Sequence, residues 1–355
     1  MREDQACPGN HAAPRGNPGC GKLLFAASIV LALMALACGG DNGPTASPVA
    51  TRSPDAAGAT ETPARGKWRT LAPMPTPRSE VAVAALDGKI YVIGGFEADG
   101  SPSAKVEVYD PATNAWGEAA PLPEPRHHTA AVAMGGLYVI GGFATSFQDA
   151  RPDVLLYTPS RNEWTLADPL VNARGGHAAV VIGFSVYAVG GLAAGPADAL
   201  ENVAPVERFD PRSGEWRVTG DLPTLRDHLA AVNSAGAVET IGGRLLGDFS
   251  QNLNAHESLT TSGWETLAPL PTARGGIAAV ELNGRIYILG GEAPTGTFNT
   301  VEAYSRQTDS WETMPPMPTA RHGLGAAVVG DTIYVIGGGP TPGLSVSGAN
   351  EAFTP

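Results

Sequence analysis

Apolar positions between residues 67 and 355 fall in short runs separated by turn-forming residues. Val81-Ala-Val-Ala-Ala-Leu86 is followed by Asp87-Gly88, and Lys89-Ile-Tyr-Val-Ile93 then ends at Gly94-Gly95. Two apolar runs joined by Asp-Gly predict a β-hairpin whose strands are buried on both faces. Val106-Glu-Val-Tyr109 alternates, as a half-buried strand does, and Asp110-Pro111 with Thr113-Asn114 turns the chain into Trp116. The pattern therefore predicts four short strands. Residues 277–311 repeat it, with Asn283-Gly284 as the hairpin turn.

The pattern recurs six times. Trp stands at 68, 116, 164, 216, 264 and 311, and Arg follows ten residues later at 78, 126, 174, 226, 274 and 321. Gly pairs stand at 94–95, 141–142, 190–191, 242–243, 290–291 and 337–338. Three markers in one register over copies of about 48 residues signal a repeat architecture. The unit resembles the kelch repeat, whose copies form the blades of a β-propeller. The resemblance implies an all-β, six-bladed kelch propeller over residues 67–355, with repeats starting near 78, 126, 174, 226, 274 and 321. The last copy, ending at Pro355, has no Trp of its own, and Trp68 has no copy before it. Residues 68–74 are therefore expected to supply the fourth strand of the last blade, which removes an exposed edge.

The N-terminal part has a different character. Residues 23–37 are an apolar run broken only by Ser28 and preceded by Arg15 and Lys22. That is short of the roughly 20 residues of a membrane span and fits an export signal. The run ends at Ala35-Leu36-Ala37-Cys38-Gly39-Gly40, which resembles the lipobox of bacterial lipoproteins. The resemblance implies a signal peptide over 1–37, lipidation of Cys38, and an exported protein anchored to the cell envelope. Residues 38–66, rich in Gly, Pro, Ala, Thr and Ser, are expected to form a flexible linker.

Composition agrees with a turn-rich all-β chain. The 355 residues include 45 Gly and 31 Pro, about a fifth of the total, against roughly 12% on average. These are the two poorest helix formers. The formal charge is −12, which argues against nucleic acid as a partner. Without the leader the balance is 20 basic and 33 acidic residues. Cys7 and Cys20 lie in the leader, so the exported domain is expected to carry neither a disulfide nor a free thiol.

Strands that meander within a blade bring first-strand starts and second-strand ends to one face. Arg78, Arg126, Arg174, Arg226, Arg274 and Arg321 are therefore expected near one mouth, with the variable loops 96–105, 143–153, 192–205, 244–255, 292–300 and 339–350. His127, His128, His177, His228 and His322 lie within three residues of these Arg. All eleven are candidate ligand-binding residues, suited to an anionic ligand whose binding would strengthen below about pH 6.5. The competing reading is structural. Glu107, Glu207, Glu257, Glu302 and Glu351 stand two residues before the third-strand aromatic position or its equivalent, where each would pair with its Arg. Copy two has Leu155 there, which leaves Arg126-His127-His128 as the leading candidate for ligand contact. Copy four has Glu239 where other copies have Tyr.

A binding module is the expected function, with an unknown protein or glycan as partner, a monomeric state, and the membrane reached only through lipid. No metal or cofactor is demanded by the spacing. Kelch propellers include galactose oxidases, whose Tyr–Cys crosslink is excluded here because the exported domain is expected to keep no free Cys. They also include exported N-acetylneuraminate epimerases. Gly291-Glu292-Ala293-Pro294-Thr295-Gly296 resembles their G-E-A-x-x-G segment, which implies a catalytic Glu292 in an alternative reading as a sugar mutarotase. Phe298 stands where that family has an Arg.

Overall fold

Residues 66–355 are described in this computed structural model, and each repeat among them forms one four-stranded antiparallel sheet. Blade 1 is built from Ala82–Leu86, Lys89–Ile93, Val106–Asp110 and Ala115–Glu118, hydrogen-bonded in that order. The next four blades repeat it, with first strands at Ala130–Ala133, Ala178–Ile182, Ala230–Ser234 and Ala278–Leu282. The hairpin turns behave as their sequences require: Asp87 and Gly88, like Asn283 and Gly284, all have positive φ. The expected signal peptide 1–37, the expected lipidation site Cys38 and the expected linker as far as residue 65 lie outside the described residues.

The last blade contains Gly325–Val329, Thr332–Ile336 and Asn350–Thr354, and its fourth strand is Lys67–Thr70 from the other end of the domain. Trp68 pairs with Phe353 across this junction and Arg69 with Ala352, and the Trp68 and Phe353 rings stack at 4.9 Å. The closure expected from the displaced Trp is present.

Blades adhere through the repeated residues. Trp116, Trp164 and Trp311 each donate their indole N–H across the seam, to the carbonyls of Ala72, Ala120 and Ala268 at 2.8 Å. The Gly pairs work nearer the axis. The second Gly of each pair donates its N–H to the carbonyl of the repeated Arg in the next blade: Gly95 to Arg126, Gly142 to Arg174, Gly191 to Arg226, Gly243 to Arg274, Gly291 to Arg321 and Gly338 to Arg78. A Cβ on Gly94 would lie 2.3 Å from the Arg126 carbonyl oxygen. Any side chain there would push two blades apart.

His177 is an exception in this layer. The equivalent residues, three after each Arg, are Val81, Thr129, Leu229, Ile277 and Leu324. His177 is buried, and neither ring nitrogen has a hydrogen-bond partner. Burial, helped by Arg174, lowers its pKa to about 3.

Two predictions follow from this packing. Deleting residues 67–75 removes the closing strand and exposes the edge of the last blade, so the melting temperature should collapse; an unchanged value would refute the closure. His177 takes up a proton near pH 6.5 when unfolded but only near 3 when folded. Its contribution is therefore intact above pH 6.5 and is lost as the pH falls toward 3, on the order of 3–5 kcal/mol. The melting temperature of His177→Leu should drop less between pH 7 and 4 than that of the wild type, and equal drops would contradict the assignment.

Candidate functional site

The six repeated Arg residues are 0–2% exposed. Arg78 binds Glu107 at 2.7 Å, Arg174 binds Glu207 at 2.6 Å, Arg226 binds Glu257 at 2.7 Å, Arg274 binds Glu302 at 2.5 Å and Arg321 binds Glu351 at 2.7 Å. The guanidinium groups of Arg78, Arg174, Arg274 and Arg321 also donate to the first Gly of their own blade. Arg126 was expected to lack a partner because Leu155 replaces the acid. It is instead bonded to Glu124 at 2.6 Å and Asp153 at 2.7 Å, and Leu155 joins the apolar core. The geometry thus gives all six Arg residues partners inside the blades.

A cavity of about 310 Å³ opens at the mouth. Its walls come from the two places the topology brings together. Ser79, Glu80, His128 and His322 follow repeated Arg residues, while Phe96, Phe147, Arg244, Phe249, Glu292 and Leu344 belong to the variable loops. A narrower void of about 100 Å³ nearer the axis is lined by Glu80, His128, His177 and His228 among others. Of the sequence candidates, His128, His322 and Glu292 therefore reach the mouth cavity, and His177 and His228 reach only the axial void. His127 reaches neither. It is stacked on Phe96 at 4.1 Å, with the Phe143 ring 5.4 Å away.

Charges in the mouth are mixed. Arg244 Nη1 donates to Glu292 Oε1 at 2.5 Å, and the other carboxylate oxygen of Glu292 accepts from the Gly343 N–H at 2.9 Å. Burial pushes the Glu292 pKa up, but His322 and Arg244 outweigh it and hold the carboxyl below its usual range. His322 Nε2 lies 3.5 Å from Glu80 and 3.7 Å from Glu292. His127 and His128 do not supply the cations expected below pH 6.5. Burial lowers His127 to about 4 and takes His128 well below its ordinary value.

The residue two positions after each Arg faces the axis: Glu80, His128, Gly176, His228, Gly276 and Gly323. All six have positive φ. Each donates its N–H to the carbonyl of the one before it, at 2.6–3.2 Å, and Glu80 closes the ring on Gly323. Glycine is the ordinary occupant of such a position. Three of the six positions instead carry an ionisable side chain at φ 50–53°. Backbone strain of this kind collects at functional sites.

Two residues of the site were not singled out from the sequence. Glu80 is betrayed only by the Gly that replaces it in copies three, five and six. Arg244 follows a Gly pair at a place where the first three copies have Phe96, Phe143 and Leu192. Glu239 is a seam residue, fully buried and bonded to His256 at 2.9 Å and to Arg306 of the neighbouring blade at 2.5 Å.

The family model of the KLHDC2/KLHL20/DRC7 Kelch-repeats domain matches residues 59–191 and 176–345. No curated protein sequence matches this chain. The solved structure of YjhT aligns with a TM-score of 0.66 and 19% identity, over 79% of this chain and 96% of YjhT. At that identity the likeness bears on fold alone. With six Trp–Arg–Gly–Gly units folded into six closed blades, and a family match spanning most of its length, this chain belongs to the kelch-repeat family.

Proposed function

We propose that the propeller is a non-enzymatic binding module that takes the end of a glycan in its mouth. The observation carrying this reading is the composition of the 310 Å³ cavity, in which Phe96, Phe147, Phe249 and Leu344 surround Glu80, Arg244 and Glu292. Pockets of a few hundred Å³ with apolar walls and a few convergent polar groups suit one small ligand. Phenyl rings can cover the C–H face of a sugar while carboxylates and a guanidinium take its hydroxyls.

The charge balance moves the ligand from an acidic sugar to a neutral one. The repeated Arg are neutralised inside the blades, and the one Arg lining the cavity is paired to one of its two carboxylates. Glu292 also supports a second reading, a sugar mutarotase. Its carboxylate lines the cavity where a base would be needed, and Arg244 stands 2.5 Å from it as the cation missing at Phe298.

Titration calorimetry with a panel of neutral and carboxylated sugars tests both readings. Neutral sugars should bind better, and Phe147→Ala and Arg244→Ala should each weaken binding at least tenfold. No saturable binding, or binding that ignores both substitutions, would sink the module reading. The mutarotase reading requires faster anomer exchange of N-acetylneuraminate by NMR with the wild type than with Glu292→Gln.

The export signal at 23–37 and Cys38 support display of this module on the cell envelope by a lipid anchor. The wild type should fractionate with membranes and Cys38→Ala with the soluble pool. Equal partitioning would rule the anchor out.

A further inference from the structure

We propose that Glu80, His128 and His228 hold one divalent transition-metal ion on the propeller axis, whichever ligand fills the mouth. This departs from the expectation of no metal drawn from spacing alone. One carboxylate or imidazole atom from each of the three lies within 4.8 Å of the others. They come from blades 1, 2 and 4, so no sequence motif joins them. Two imidazoles and a carboxylate suit Zn²⁺ or a neighbouring first-row ion, with a further position left open. Glu80 Oε2 and His128 Nε2 are 3.2 Å apart, close to the ligand–ligand edge of a tetrahedral site with metal–ligand bonds of about 2.0–2.2 Å.

The surroundings point the same way. His228 is 5% exposed, and its Nε2 is buried without a hydrogen-bond partner. Its Nδ1 sits 2.5 Å from Asp227 Oδ1. The other oxygen of Asp227 accepts from Asn202 Nδ2 at 2.6 Å and from the Gly247 N–H at 3.0 Å. A carboxylate holding Nδ1–H fixes the tautomer that leaves the Nε2 lone pair for a metal. His128 has an analogous outer partner, with its Nδ1 2.6 Å from His127 Nδ1. His127 is itself packed against Phe96 and Phe143. Glu80 and His128 line both the axial void and the mouth cavity, so the open coordination position faces the place where a ligand enters.

The ring supplies its own controls. Gly occupies the same backbone position in three blades, so Glu80→Gly and His228→Gly remove a ligand without asking the backbone for a new conformation. The full-length chain is stripped with a chelator and titrated with ZnCl₂, read by calorimetry and by melting temperature. The wild type should bind one equivalent and gain melting temperature. Both Gly variants should lose the zinc-dependent gain in melting temperature, each measured against its own metal-free form, and should lose at least a hundredfold in zinc affinity. Asp227→Asn should keep the site but weaken it about 10–100-fold. Absence of a zinc-dependent gain in the wild type would overturn the proposal, as would an equal gain in both Gly variants.

Discussion

The carbonyl oxygen of each repeated Arg accepts a hydrogen bond from the Gly pair of the blade before it. In four blades the guanidinium of that Arg also holds the Gly pair of its own blade. The Arg is thus a relay, with its backbone facing one neighbour and its side chain fixing the turn that reaches the other. A guanidinium taken this far from water needs an acid beside it. Removing one partner of such a buried pair typically costs about 3–5 kcal/mol. This is why the second blade, having lost its acid to Leu155, borrows Glu124 and Asp153.

The relay also sets what the mouth can contain. Every Arg committed to it is withdrawn from ligands, so an acidic protein with a recurrent Arg near the axis still has few cations to show there. The free chemistry of the site belongs to residues outside the relay: Arg244 and Glu292 on the loops, and Glu80, His128 and His228 on the inner ring. Rigid blades under variable loops divide the labour between stability and recognition in this way.

The fold was legible because its signals are local and repeated. A Trp, an Arg ten residues on and a Gly pair after that fix each blade, and the displaced Trp68 fixes the closure. The Arg–Glu pairs could also be read, since the third-strand acid recurs in register. The mouth was less legible. Arg244 and Glu292 are 48 residues apart in loops that share no pattern, and a count of Arg along the chain cannot tell paired from unpaired ones. Glu80 looks like an ordinary polar residue until its backbone is seen to need positive φ.

The inner ring is filled in only half of its places, and packing bears on two of the three vacancies. A Cβ added at Gly323 would lie 2.4 Å from Glu80 Oε1 and 2.9 Å from the Glu80 backbone nitrogen, and one at Gly176 would lie 3.2 Å from His228 Nδ1. A Cβ at Gly276, by contrast, would meet nothing nearer than 3.4 Å. The axis of such a propeller can therefore seat a coordination sphere whose members are exchanged one place at a time without any change in the blades that hold them.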